Sequence, residues 1–241
     1  MLSFAPEIIF KIGKFPVSNT LLDTLLVDII LIGGALYVGK KITSIPSNPV
    51  QNISEWVVET FYSLTESVSQ NAASKIFPYF ITFFLFILFI NWSALIPGVG
   101  TIGFFHGHEL VPLFRGATSD LNTTLGLALV SVAATHVLSI RTIGIKDYLS
   151  RYFSFNPINL FIGVLEIISE ITKVVSLSFR LFGNIYAGEV VLITVSSIFA
   201  FAFPLPFLML EVIVGIVQAL VFSMLTMAFM AILTTSHNKA H

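Results

Sequence analysis

The sequence contains no cysteine. Disulfides, thiolate metal sites and thiol nucleophiles are therefore excluded at once. Charge is also scarce. Asp, Glu, Lys and Arg make up 10% of the 241 residues, where a soluble domain carries about a quarter. Neither sign dominates: 12 basic residues face 13 acidic ones, for a net charge of -1. With no basic stripe to follow phosphates, nucleic acid is not an expected partner. Internal repeats and low-complexity tracts are absent as well. The N-terminus, Met1-Leu2-Ser3-Phe4-Ala5-Pro6, lacks the basic end, short apolar run and small-residue cleavage site of a secretory signal. The first span is therefore expected to serve as its own insertion signal.

What fills the sequence instead is apolar. Hydrophobic residues make up 56%, phenylalanine alone accounts for 24 residues, and mean hydropathy is +0.93. That excess is too large for one globular core, so the bilayer must act as solvent for much of the chain. A crossing needs about 20 mostly apolar residues. After an N-terminal segment, 1–20, the first such run covers 21–41, interrupted by Asp23 and Asp28 and ended by Lys40 and Lys41. Those two aspartates are expected to face the interface or a neighbouring subunit. In 47–75, Trp56, Phe61 and Leu64 alternate with Glu55, Glu59 and Glu66, the pattern of an amphipathic helix lying at the interface. Residues 76–140 hold two spans, Phe77 to Ile96 and Leu121 to Ile140, joined by an outer-side loop, 97–120, that is rich in Gly and polar groups.

From Pro157 to Phe203 the chain stays helical in character, breaks at Pro204 and Pro206, and continues from Phe207 to Thr234. Residues 157–236 thus read as a membrane-embedded helical hairpin. The expected fold is an all-α polytopic membrane protein with about five transmembrane or intramembrane helices plus one interfacial amphipathic helix. Basic residues near span ends set orientation. Lys40, Lys41, Arg141, Lys146, Arg151 and Lys239 fall on one, inner, side, while the outer loop carries only Arg115. Lys11 and Lys14 run against this assignment.

Ionisable groups inside a span cost ~2.5–3.5 kcal/mol on insertion scales, and they mark a pathway or a pair. The last two helices carry Arg180, Glu189 and Glu211, with Gln218 among them. Arginine stays protonated at any accessible pH. A buried arginine without a fixed partner is an electrostatic fence to protons and an attractor for a carboxylate delivered by another subunit. Glu211 and Gln218, seven positions apart, share a face about 10 Å apart along the axis. Arg180 and Asn184 form an i, i+4 pair with Ser176 one turn earlier. Residues at equal height in an antiparallel hairpin have a near-constant index sum. By that rule Arg180 meets Gln218 at one level, and Glu189 meets Glu211 at another, nearer the turn.

Four motifs carry a resemblance. Ser176-Leu177-Ser178-Phe179-Arg180-Leu181-Phe182-Gly183-Asn184-Ile185-Tyr186-Ala187-Gly188-Glu189 is the most specific. Gln218-Ala219-Leu220-Val221-Phe222, with Glu211 before it, is the second. Ser119-Asp120-Leu121-Asn122-Thr123-Thr124 opens a span, and Asn91-Trp92-Ser93 with Ile96-Pro97-Gly98 closes one. Over roughly 45–236 the chain resembles subunit a of the F-type ATP synthase. The resemblance implies two offset aqueous half-channels. A proton enters past Asp120, Asn184, Glu189 and Glu211, rides on a carboxylate of a rotating c-ring, and leaves past Glu166, Ser169 and Lys173. It also implies that Arg180, with Ser176 beside it, separates the two paths and that Gln218 assists from the facing helix. Implied partners are the c-ring, peripheral-stalk b subunits, membrane lipid and a transported proton, with Na+ as the alternative ion. No cofactor is implied, and the subunit is expected to be non-catalytic. The membrane would be a bacterial inner membrane, with the mitochondrial inner and thylakoid membranes as alternatives.

Plainer readings stand beside these. Arg180 could snorkel to the interface, Glu189 and Glu211 could line a pore without relaying, and Gln218 could join helices by a hydrogen bond. Glu166, Glu170 and Lys173 could be a charge cluster at a helix end. His136 reads as hydrogen-bonded packing. His106-Gly107-His108-Glu109 superficially resembles metal ligands but has no third anchored ligand. A secondary transporter would commonly show repeats and helices broken at matching places, and a membrane enzyme would show a nucleophile–base set, phosphate loop or metal motif. Neither pattern is present in the sequence.

Overall fold

The computed structural model describes residues 7–43, 48–70, 72–96, 102–106, 109–152, 157–198 and 204–235. Pro97, Gly98, Gly107, His108, Phe203 and Lys239 lie outside the described residues. The described chain begins with a hairpin of β1 (Ile8–Ile12) and β2 (Phe15–Ser18), turned at Gly13 with φ 65°, a conformation glycine adopts without steric cost. Ser18 then accepts a hydrogen bond from the Leu21 amide and caps α1 (Asn19–Lys41). Helix α2 (Pro49–Val68) starts on an Asn48 cap with Pro49 at its first position. After it come α3 (Ala73–Ser93), a second hairpin of β3 (Gly103–His106) and β4 (Glu109–Pro112), and a 3₁₀ turn at Ala117–Ser119.

The remainder is helical: α4 (Leu121–Ile143), α5 (Ile145–Tyr152), α6 (Pro157–Ile198) and α7 (Pro204–Thr234). Among the described residues, α1, α3, α4 and α7 are long and apolar enough to cross a membrane. α6 has 42 residues and would extend about 63 Å, twice a ~30 Å hydrocarbon core. It also carries Glu166, Glu170, Lys173, Arg180 and Glu189 along its length. The protein is an all-α, multi-pass integral membrane protein. The two hairpins are additions to that expectation, falling in segments read as an undefined N-terminus and a loop. His106 and Glu109 are simply cross-strand partners in the second hairpin.

The core is a four-helix bundle. Phe83, Phe84, Ile87 and Leu88 of α3 pack with Ala128 of α4, Leu177, Leu181 and Ile185 of α6, and Ala219 and Phe222 of α7. A second cluster joins Ile76 and Phe80 of α3 to Leu138 of α4 and Met227 and Met230 of α7. The starts of α2-facing α3 and the ends of α4 and α7 therefore share one end of the bundle, where Arg141, Lys146 and Arg151 also lie. α2 docks through Phe61, whose ring lies 4.6 Å from that of Phe84 and 5.6 Å from that of Phe80, while Trp56 stays exposed.

α1 lies against α3 through Val27 and Ile90, with Ala117 of the 3₁₀ turn beside them. Asp23 does not face the interface, as the sequence reading expected. It is buried, accepting hydrogen bonds from Ser93 Oγ at 2.9 Å and the Ala117 amide at 3.3 Å. A carboxylate inside a span is retained where donors meet it. Those donors come from two segments distant in sequence, which is why spacing alone did not reveal them.

Candidate functional site

The C-terminal hairpin brings α6 and α7 face to face. Asn184 Nδ2 donates to Gln218 Oε1 at 2.8 Å. The partner of Gln218 is thus Asn184, one turn beyond Arg180, and this corrects the pairing inferred from index sums. The rule fixes height but not azimuth. Four residues advance a helix by about 400°, so Asn184 sits about 40° round from Arg180 and is the one turned to α7. Arg180 remains exposed on the open side of α6, its Nη2 donating to Ser176 Oγ at 3.4 Å. Among the described residues no carboxylate of this chain pairs with Arg180.

Toward the start of α7, Glu211 is buried and directed at α6. It fills the space left by Gly188: a Cβ there would overlap the Glu211 carboxylate. Glu189, about 100° further round, turns instead to the segment before the 3₁₀ turn, where Arg115 Nε lies 3.5 Å from its Oε1. The two acids that the sequence put on one level therefore have different surroundings. Arg115 was noted only as the lone base of its loop, and its role depends on a contact 74 positions away in sequence.

Asp120 is buried, and its Oδ1 caps α4 by accepting from the Asn122 amide at 2.9 Å and from Asn122 Nδ2 at 3.2 Å. The neighbouring motif residue Asn91 is fully engaged. It accepts from Thr118 Oγ1 at 2.8 Å and donates to the Gly215 carbonyl at 3.3 Å, tying α3, the 3₁₀ turn and α7 together below the outer loop. Trp92 Nε1 adds a donation to the Val212 carbonyl at 3.4 Å. Buried hydroxyls link the bundle further: Thr124 with Ser178 at 3.2 Å, and Ser131 with Thr226 at 2.8 Å.

At the opposite end of the bundle, Glu166 pairs with Arg151 of α5 at 3.6 Å. Lys173 Nζ donates to Glu170 Oε1 at 2.7 Å and lies 4.5 Å above the Phe229 ring of α7. Glu170 Oε2 also faces His136 Nε2 of α4 at 3.5 Å. Ser169 is exposed. The structure thus gathers Glu166 and Lys173 with Glu170 and His136, and it leaves Ser169, Ser176 and Arg180 on the open surface of α6.

A sequence model of the family described as ATP synthase A chain matches residues 21–231. "ATP synthase subunit a" of Moorella thermoacetica is 32% identical over 232 residues, covering 96% of this chain and 98% of that protein. "ATP synthase subunit a 2" of Pelobacter propionicus is 32% identical over 93% of this chain and 90% of its own length. "ATP synthase subunit a" of Legionella pneumophila, strain Paris, is 31% identical over 95% and 91%. The chain belongs to the ATP synthase subunit a family.

As a subunit a family member it is a membrane component of the proton-translocating F0 sector and part of the ATP synthase complex. The matched span, 21–231, includes Arg180, Glu189, Glu211 and Gln218 as well as α1 with its buried Asp23. The first hairpin lies outside it.

Proposed function

We propose that this subunit a conducts protons through two half-channels that meet a rotating c-ring at Arg180. The observation that carries the reading is Arg180 itself. It is a permanent cation held on the open side of α6 by Ser176, and among the described residues no carboxylate of its own chain engages it. In a membrane such a charge calls for a counter-ion, and the carboxylates of a c-ring passing α6 would supply one. Its fixed charge also repels a proton that would otherwise leak straight from one side to the other.

Polar groups fall on either side of that level. Outward lie the Asn184–Gln218 pair, Glu211, and Glu189 with Arg115. Inward lie Ser176, Lys173, Ser169 and Glu166. Of the two outer acids, Glu211 is the exchange group: among the described residues no cation pairs with it, whereas Glu189 faces Arg115 at 3.5 Å. Asp120 supports the entrance by capping α4 beside the outer loop. Gln218, by bonding Asn184, holds α7 against the turn of α6 that follows Arg180. The subunit performs no ATP chemistry, which belongs to other members of the complex. Its contacts are the c-ring on the Arg180 face, peripheral-stalk b subunits and lipid.

The test is ATP-driven acidification of inverted membrane vesicles containing the assembled complex, with and without Arg180→Ala. Pumping is expected to vanish while assembly and ATP hydrolysis persist. Acidification at the unsubstituted rate would make Arg180 structural and end the half-channel reading.

A further inference from the structure

The inner end of the bundle holds a chain of contacts that the channel reading does not use. α4 ends at Gly144, whose φ of 85° turns the backbone directly into α5. That turn folds Tyr148 back along α4, so its hydroxyl lies 3.0 Å from His136 Nδ1. The other ring nitrogen, Nε2, faces Glu170 Oε2 on α6 at 3.5 Å. Glu170 gives its second oxygen to Lys173 at 2.7 Å, and Lys173 rests on Phe229 of α7. One connected line, Tyr148–His136–Glu170–Lys173, therefore runs through three helices, α5, α4 and α6, and rests on α7 through Phe229.

We propose that His136 is a proton-exchanging group of the inner half-channel, held in place by Tyr148 and Glu170. This rests on the half-channel reading above and extends it to a residue outside the family motifs.

The charge inventory favours it. Arg151 and Glu166 balance each other, as do Lys173 and Glu170, so the cluster is neutral while the imidazole is neutral. Tyr152, whose ring centroid lies 5.2 Å from that of Tyr148, keeps its proton, because burial pushes its hydroxyl far up. Arg141, Lys146 and Asp147 are exposed. Among the described residues, α7 presents to the cluster the Phe229 ring and the Ile232 carbonyl, which accepts from Arg151 Nη2 at 3.4 Å. The imidazole is the group here that can take up and release a proton at its ring nitrogens while keeping both hydrogen-bonding neighbours.

The geometry also lets that change occur without rearrangement. A neutral ring with its proton on Nε2 points it at Glu170 and accepts the Tyr148 hydroxyl at Nδ1. On taking a second proton at Nδ1 it donates to the Tyr148 oxygen, which needs only a rotation of the hydroxyl. Both states keep both neighbours. The His136 side chain is 24% exposed, so its ring is not sealed within the bundle. Lys173 stands seven residues before Arg180 on α6, about 10 Å along the axis, within the stretch a departing proton must cross.

The experiment uses inverted vesicles carrying the whole complex, whose inner face is turned to the bath, so bath pH sets inner pH. Pumping per ATP hydrolysed, and per assembled complex, is measured across pH 5–8. His136→Gln and the shorter His136→Asn retain polar contacts but cannot titrate. Tyr148→Phe removes the clamp and leaves the imidazole. Either histidine variant is expected to lower pumping by roughly tenfold and to flatten its pH profile. That is less than the ~100-fold typical of a positioned acid–base group, because water shares the path. Tyr148→Phe should scale the rate and keep the profile's shape. An unsubstituted profile in a histidine variant overturns the proposal. So does equal flattening in Tyr148→Phe, or failure of both histidine variants to assemble, since each would make the contact purely structural. Arg180→Ala in the same vesicles reports separately on the half-channel reading.

Discussion

Glu211 places its carboxylate where a side chain on Gly188 would stand. The glycine in the Tyr186-Ala187-Gly188 run is therefore a complement to an acid on the facing helix, 23 positions later. Gly188→Ala should displace the carboxylate, stop pumping and cost about 1–3 kcal/mol by overpacking. Adding Glu211→Ala should recover the thermal stability of the purified complex without recovering pumping. A Gly188→Ala complex as stable and active as the parent would mean that the two residues are not in contact.

The two outer acids should behave differently. Glu211→Gln is expected to abolish ATP-driven acidification, and Glu189→Gln to leave much of it. Arg115→Gln strands the half-buried Glu189 charge and should impair pumping more than Arg115→Gln combined with Glu189→Gln does. The reverse ranking of the two acids would transfer the relay to Glu189.

Asn184 and Gln218 should act as a unit. Asn184→Leu and Gln218→Leu are each expected to slow pumping, and the double variant to be no worse than the more severe single one. In stability the coupling should be about 0.6–1.7 kcal/mol, the range of hydrogen-bonded pairs between membrane helices. Additive losses would separate them.

Asp23 serves as the anchor of α1. Asp23→Ala leaves the buried Ala117 amide without its acceptor and should cost about 1–3 kcal/mol. Ser93 keeps its bond to the Ile90 carbonyl at 2.8 Å and loses less. Limited proteolysis of the complex should show α1 cut sooner, with Asp23→Asn milder because an acceptor oxygen remains. Equal protease resistance in all three forms would remove the anchoring role.

Much of the fold was legible before any coordinates. Apolar runs bounded by Lys40, Lys41, Arg141 and paired prolines give the helices, because a helix in lipid satisfies its own backbone and needs only length and hydrophobicity to be recognised. The hairpins β1–β2 and β3–β4 were not legible. Their strands have four or five residues, too few for a period to stand out. His136 showed only that it was polar within a span, since its partners Tyr148 and Glu170 come from two other helices.

The sequence by itself determined that this is a bilayer protein, where its long helices run, and that Arg180, Glu189, Glu211 and Gln218 sit inside the last two. Chain spacing sets height along a helix and the face a residue occupies, and both follow from 3.6 residues per turn. The tertiary structure decided who stands opposite. It gave Gln218 to Asn184 and left Arg180 open, turned Glu189 to Arg115 and Glu211 to Gly188, and buried Asp23 between Ser93 and Ala117. Those choices depend on how each helix is rotated about its own axis, and that rotation is fixed by packing among α1, α3, α4, α6 and α7 together, which no single stretch of sequence encodes.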